Sequence, residues 1–131
     1  MYVRVDPADA TPIYEQIARQ IKFAVASGVL QPGELTPSVR EMARQLAVNP
    51  NTVARAYREL QDEGILTAQR GVGLAVAEDA PERCRQDRER WVYERLKQVV
   101  DEALRAQITP RQLERMLRDL LRSLPQQENA P

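Results

Sequence analysis

The sequence predicts a mainly α-helical protein with one small β-hairpin, in which three helices and the hairpin precede two further helices. Aromatic residues make up only 5% of the 131 residues although 43% are hydrophobic, so the core must be aliphatic and rich in alanine. Apolar residues recur at three- and four-residue intervals along most of the chain, which is typical of amphipathic helices. Residues 65–77 instead contain two short apolar runs separated by glycines, the pattern of a hairpin.

The first predicted helix starts at Thr11-Pro12 and ends at Gly28. Proline fits the first turn of a helix because the N–H that it lacks would have no partner inside the helix. Gly28 supplies a residue that readily adopts the left-handed conformation common at helix ends. The apolar stripe of this helix consists of residues spaced by four: Ile13, Ile17, Ile21 and Val25.

The second predicted helix covers residues 38–46. Ser38 and Glu41 have the spacing of a capping box, and Pro37 prevents the helix from extending backwards. The segment AVNPN, residues 47–51, then forms a tight turn. The inward face of this helix consists of Val39, Met42, Ala43 and Leu46.

The third predicted helix covers residues 51–64 and is capped by Gly64. Two apolar runs, residues 65–68 and 74–77, follow it and flank the glycines of the segment RGVG, residues 70–73. The inward face of this helix consists of Val53, Ala56, Tyr57 and Leu60.

The order of these elements is that of a winged helix-turn-helix, in which the hairpin is the wing. We assign this domain to residues 1–79, with its core at residues 11–77. After it the composition changes to a long charged stretch, so we assign residues 80–131 to a second, two-helix domain.

The two helices of the second domain are predicted over residues 82–106 and from Thr109-Pro110 onwards. Two amphipathic helices bury one face each against a partner surface, and we expect that partner to be a second copy of the chain. The alternative is that these helices fold back on their own winged-helix domain. The expected dimer interface consists of Val92, Leu96, Val99, Leu113, Leu117 and Leu120.

The composition excludes several classes of function. The chain has no histidine and a single cysteine, Cys84, so histidine-based metal sites, catalytic triads and zinc clusters lack their residues. We therefore expect no enzyme activity, no metal and no cofactor. No apolar run is long enough for a membrane span, and the first residues do not resemble a signal peptide, so we expect a cytoplasmic protein with no membrane association. Cys84 lies beside Arg83 and Arg85, and we expect it to be inert; the alternative is that these arginines lower the pKa of its thiol and allow a redox role.

The formal net charge is zero, with 19 basic and 19 acidic residues, yet the charges are unevenly placed. Between Glu41 and Glu59 there is no acidic residue. Amide, hydroxyl and guanidinium groups of the kind that read DNA bases lie around the third helix: Asn49, Asn51, Thr52, Arg55 and Arg58. The alternative is an ordinary solvated helix, in which Arg58 pairs with Asp62 one turn on.

The segments PIYEQI, PG, PSVRE, NPNTVARAYREL, EGIL and RGVG follow one another in this order between Thr11 and Ala77. Together they resemble the DNA-binding domain of the GntR family of bacterial transcription regulators. The NPNTVARAY form and the short second domain are similar to its YtrA subfamily. The resemblance implies that the DNA contacts include Arg40 at the start of the second helix, Asn49, Asn51, Thr52 and Arg55 around the third, and Arg70 and Gly71 in the wing.

The sequence departs from the family pattern at four positions. Leu35 and Thr36 stand where a basic residue and a leucine are usual, and Val72 and Leu74 stand where lysine and threonine are common. The first two departures weaken one expected phosphate contact and one core position, and the other two weaken the expected contact between the wing and DNA. The fold prediction is unchanged.

The leading hypothesis is a dimeric, sequence-specific repressor whose partner is double-stranded DNA with an inverted-repeat operator. The resemblance also implies dimerisation and control of an operon for an ABC transporter, and it leaves any small-molecule effector unassigned. The alternative from another class is a winged-helix module that binds proteins and has no operator-specific affinity for DNA.

Overall fold

The computed structural model describes residues 2–125, and its elements follow the predicted order. The mainly helical fold with one antiparallel hairpin is confirmed. The elements are α1 (Ile13–Ala26), α2 (Val39–Leu46), α3 (Pro50–Asp62), β1 (Leu66–Gln69), β2 (Gly73–Val76), α4 (Ala80–Arg105) and α5 (Pro110–Ser123).

Helix α3 lies at the centre of the N-terminal part of the chain and packs on α1, α2 and β1. Its apolar face is fully buried, as predicted, and meets the apolar stripe of α1. The residues of this core with the least exposure include Ile17, Ile21, Met42, Val53, Ala56 and Leu60.

Only half of the predicted capping box forms at the start of α2. The Oγ of Ser38 accepts a hydrogen bond from the N–H of Glu41 at 3.1 Å, which caps the helix. The carboxylate of Glu41 accepts instead from Arg44 at 2.6 Å and from Gln45 at 2.8 Å. A charged donor one turn along the helix is a stronger partner than a backbone N–H. Both halves of a capping box form at α5, between Thr109 and Gln112.

The wing contains a third extended segment that the sequence pattern did not predict. Strand β2 pairs antiparallel with β1, from Leu66 opposite Val76 to Gln69 opposite Gly73. On its other side Leu35 bridges to Ala75, and the N–H of Thr36 donates to the carbonyl of Leu74 at 2.9 Å. The hairpin is therefore attached to the segment that leads into α2.

An N-terminal arm, residues 2–6, lies along α1 and was also not predicted. Gln16 and Gln20 each use one side-chain amide to bond both the N–H and the carbonyl of an arm residue, Asp6 and Arg4 respectively. Four residues of helix rise about 6.0 Å, and two residues of extended chain rise about 6.6 Å. The spacing between the two glutamines along the helix is therefore close to the spacing between alternate residues of the arm. The arm also buries Val3 in the core.

The first turns of α4 belong to the N-terminal unit. Ala80 and Cys84 are fully buried, and the guanidinium of Arg83 donates to the backbone carbonyls of Glu63 and Gly64 at the end of α3. The compact N-terminal unit accordingly extends into α4 as far as Arg90, beyond the change in composition at residue 79. The change in composition marks where a helix begins, whereas the compact unit ends where its side chains stop packing.

The alternative considered for Cys84, a thiol of lowered pKa, is wrong. Burial raises the pKa of its thiol to about 11, and this effect exceeds the opposing effects of Lys22 and Arg83. The side chain packs in the core beneath α4. Cys84 is a structural residue in this fold, and the redox hypothesis is withdrawn.

We expect native Cys84 to react with a disulfide reagent at pH 8 far more slowly than it does in denaturing urea. At that pH the folded thiol is almost wholly protonated because its pKa is about 11, and the reagent also has no path to the buried sulfur. Absorbance of the released aromatic thiol follows the reaction. Equal rates in the native and denatured proteins would contradict the buried position.

We expect Ala47→Gly to raise the free energy of unfolding by about 0.5–1 kcal/mol, because Ala47 ends α2 with a left-handed backbone at φ 54°. The shift in the midpoint of urea unfolding, followed by circular dichroism, measures the change. The matched control is Ala54→Gly inside α3, which should lower the free energy of unfolding by a similar amount. A loss of stability in both variants would show that Ala47 carries no strain.

Candidate nucleic-acid interface

The outer face of α3 carries the polar residues predicted to read DNA. Asn51, Arg55 and Arg58 are exposed and Thr52 is half-buried, while the opposite face of the helix is buried on α1 and α2. The buried face holds the helix in place, so the outer side chains are presented from a rigid element. The structure thus brings these four predicted residues together on one helix.

Asn49 has a structural role at the start of α3. Its Oδ1 accepts a hydrogen bond from the N–H of Asn51 at 2.8 Å and so caps the helix. The N–H₂ of the same amide remains available as a donor. Asn49 therefore retains only part of the hydrogen-bonding capacity expected of a side chain that reads bases.

Arg55 stacks on an aromatic ring of α1. The Cζ of its guanidinium lies 3.7 Å from the centroid of the Tyr14 ring. Among the residues that the structure describes, none accepts a hydrogen bond from the Arg55 side chain or forms an ion pair with it. All its N–H groups are therefore free to meet a ligand.

Tyr14 follows the first residue of the apolar stripe of α1, Ile13, and no sequence signal connects it to Arg55. Partial burial and a hydrogen bond from its hydroxyl to Glu15 at 3.2 Å raise the pKa of Tyr14, while Arg55 lowers it and Glu59 adds to the rise. The net shift is upward, so the ring that Arg55 covers is the neutral phenol at physiological pH.

The other arginines of α2 and α3 differ in their partners. Arg40 and Arg58 are exposed and form no ion pair within residues 2–125, so the alternative pairing of Arg58 with Asp62 is absent there. Arg44, in contrast, is held by Glu41 at 2.6 Å, and this contact lowers the pKa of Glu41. Arg40, Arg55 and Arg58 are thus the unpaired cations of this surface.

The tip of the wing presents Arg70 and Gly71, both exposed, in the turn between β1 and β2. Gly71 has φ +75°, a conformation that glycine adopts without strain. Val72 beside it is 63% exposed, so an apolar side chain stands at the tip where the family often has lysine. Thr36 fills its buried position with its hydroxyl bonded to the Leu74 carbonyl, so this departure leaves no unsatisfied group.

The second unit, from Trp91 onwards, carries an open apolar groove of about 400 Å³ between α4 and α5. Four of the residues predicted to form a dimer interface, Leu96, Val99, Leu117 and Leu120, line it and are 48–58% exposed. Leu113 lines the groove and is half-buried, whereas Val92 is 44% exposed and lies outside the groove lining.

Within residues 2–125, no group of acidic or cysteine side chains is arranged to hold a metal ion. A separate search of the same residues finds no helix with the length and apolar character needed to cross a bilayer.

Comparisons with known proteins identify the family. The gntR family of bacterial regulatory proteins matches residues 13–76. The transcriptional repressor YtrA of Bacillus subtilis is 37% identical over 118 residues, which are 90% of this chain and 91% of that protein.

Two solved structures extend the comparison. YtrA from Sulfolobus acidocaldarius, a GntR-family transcription factor, is 37% identical with a TM-score of 0.59 and covers 74% of this chain and 99% of its own. AraR(DBD) in complex with operator ORX1 is 27% identical with a TM-score of 0.51, over 56% of this chain and 90% of its own.

The family match covers the winged helix, and the match to YtrA of Bacillus subtilis continues into the second unit, so the sequence resemblance is confirmed. The chain belongs to the GntR family of bacterial regulatory proteins and is a DNA-binding transcription regulator, not an enzyme.

Proposed function

We propose that this protein is a dimeric repressor that binds an inverted-repeat operator, with α3 in the major groove and the wing in the adjacent minor groove. The observation that carries the proposal is the outer face of α3, where Arg55 and Arg58 are exposed and form no ion pair within residues 2–125, while the inner face is buried. Such a helix can approach DNA without breaking an existing ion pair.

The exposed groups divide into two chemical roles. Arg55 and Arg58 can donate two parallel hydrogen bonds to guanine, and Asn51 can pair with adenine in the same way. Arg40 at the start of α2, together with the hydroxyl of Thr52, suits phosphate oxygens, which set the register of the helix on the duplex. Arg70 and Gly71 suit the narrow minor groove, where the negative potential attracts a guanidinium.

A second copy of the chain is the proposed partner of the apolar groove between α4 and α5. Apolar side chains that remain half exposed in a single chain lose contact with water when two such grooves pack together. A twofold axis would present two α3 helices to two inverted half-sites.

The relatives support the remaining parts of the proposal. A repressor role follows the name of the Bacillus subtilis relative, and DNA as partner follows the AraR operator complex. Control of an operon for an ABC transporter and a site of action in the cytoplasm extend the proposal by resemblance alone.

We expect Arg55→Ala to weaken binding by about 1–3 kcal/mol to a duplex that the wild-type protein selects from a random library, while leaving the fold intact by circular dichroism. Fluorescence anisotropy with a labelled duplex, at several salt concentrations, measures the affinity against a scrambled duplex. The matched control is Arg44→Ala, because Arg44 is already held by Glu41 and should contribute less. Equal effects of the two substitutions would remove Arg55 from the set of residues that read bases.

If the wild-type protein binds neither duplex, even at low salt, the alternative of a protein-binding module is favoured. Specific binding that weakens steeply with salt supports the regulator, because contacts to phosphates release counterions.

We expect Leu117→Glu to convert the dimer to a monomer, because a carboxylate buried without a partner costs about 3 kcal/mol or more. Light scattering coupled to size exclusion measures the mass. Leu121→Glu is the matched control, since Leu121 is on the same helix but does not line the groove. A dimer that persists in Leu117→Glu would instead support packing of this helix within its own chain.

A further inference from the structure

The stacked pair of Tyr14 and Arg55 joins two helices that are distant in sequence. Tyr14 is in the first turn of α1, and its ring is half-buried against the fold. Arg55 leaves the exposed face of α3, and its Cζ lies over the ring, 3.7 Å from the centroid.

We propose that Tyr14 is a positioning residue that fixes the Arg55 guanidinium for reading a base, and that it thereby contributes to operator specificity. This inference rests on the proposed function, in which Arg55 reads DNA. It adds a residue outside the helix-turn-helix and the wing to the recognition surface.

The stack restrains Arg55 without occupying its hydrogen-bond donors. An arginine side chain has several rotatable bonds, and ordering them when DNA binds costs conformational entropy. A ring beneath the guanidinium limits the orientations of its plane, while the N–H groups, which lie in that plane, still point outwards. The arginine is therefore partly ordered before it meets a base.

Arg44 is restrained in a different way, by an ion pair that occupies one of its donors. Its guanidinium is held by the Glu41 carboxylate at 2.6 Å, so a donor is already engaged and a charge already compensated. Arg55 has no such partner within residues 2–125. Of these two arginines, Arg55 is restrained by contact with a ring, and its hydrogen-bond donors are not engaged within the described residues.

The hydroxyl of Tyr14 is not needed for this role. It donates to Glu15 at 3.2 Å, and Glu15 is exposed at the start of the helix. Phenylalanine would keep the ring and lose only this contact, whereas leucine would keep an apolar side chain and lose the ring. The pair of substitutions therefore separates stacking from hydrogen bonding.

The test uses the full chain and a duplex that the wild-type protein selects from a random library. Arg55→Ala first identifies the base pair at which Arg55 discriminates, as the position where a changed base pair no longer weakens binding. Affinities for the selected duplex and its variant at that position are then measured for Tyr14→Leu, Tyr14→Phe and Tyr14→Leu/Arg55→Ala.

We expect Tyr14→Leu to reduce the discrimination at that base pair about two- to fivefold, the strength of an exposed cation–π contact. Tyr14→Phe should keep the wild-type value. The double variant should bind like Arg55→Ala alone, because Tyr14 acts through Arg55. In the free protein, the ring should also shift the NMR signals of the Arg55 side chain upfield, and Tyr14→Leu should abolish that shift.

Three results would overturn the inference while leaving the proposed function intact. The first is full discrimination in Tyr14→Leu, and the second is a loss of discrimination in Tyr14→Phe equal to that in Tyr14→Leu. The third is a double variant that binds more weakly than Arg55→Ala at every base pair, which would mean that Tyr14 contacts DNA or supports the fold directly. A wild-type chain that selects no duplex would overturn the proposed function itself, and the inference with it.

Discussion

The structure of the N-terminal unit depends on the fixation of α3 along its whole length. Near its middle, the hydroxyl of Tyr57 donates to the carbonyl of Pro37 at 2.6 Å, which ties α3 to the segment before α2. At its end, Arg83 donates to the carbonyls of Glu63 and Gly64, groups that a helix terminus otherwise leaves unpaired. Lys22 of α1 binds Glu63 at 2.5 Å in the same region. A helix anchored in this way loses little conformational entropy when a ligand binds to its outer face.

The anchoring of α3 also explains why α4 begins inside the N-terminal unit. Lys22 lies between Glu63 and Asp87, at 2.5 and 3.4 Å, and so connects α1, the end of α3 and the second turn of α4. The carboxylates raise the pKa of this half-buried lysine in spite of its desolvation, so it stays charged. Because α4 continues without a break to Arg105, a single helix belongs both to the winged-helix unit and to the second unit.

Local signals in the sequence were sufficient for the elements but not for the contacts between them. The left-handed glycines Gly28 and Gly64 end their helices as predicted, since a positive φ is a property of one residue. The arm bound by Gln16 and the bridge between Leu35 and Ala75 were missed, because both join residues distant in sequence and neither follows an apolar period. The polar face of α3 was predictable because the spacing of residues along one helix places both its polar and its apolar side chains. The ring under Arg55 was not predictable, because Tyr14 is on a different helix.

A neutral net charge changes what specific binding requires of this protein. With 19 charges of each sign, the chain as a whole has no long-range attraction for a polyanion, so affinity for DNA must come from the local arrangement of charges. On α2 and α3 that arrangement depends on which carboxylates are engaged: Glu41 is turned to Arg44, whereas Arg40 and Arg58 have no acidic partner within residues 2–125. A surface that attracts DNA weakly at long range gains most in specificity from side chains that are already oriented. Each contact between such a side chain and a base then adds discrimination without raising the affinity for every DNA sequence. If Tyr14 orders Arg55 as proposed, neutral net charge and a preordered arginine are complementary features of one DNA-recognition surface.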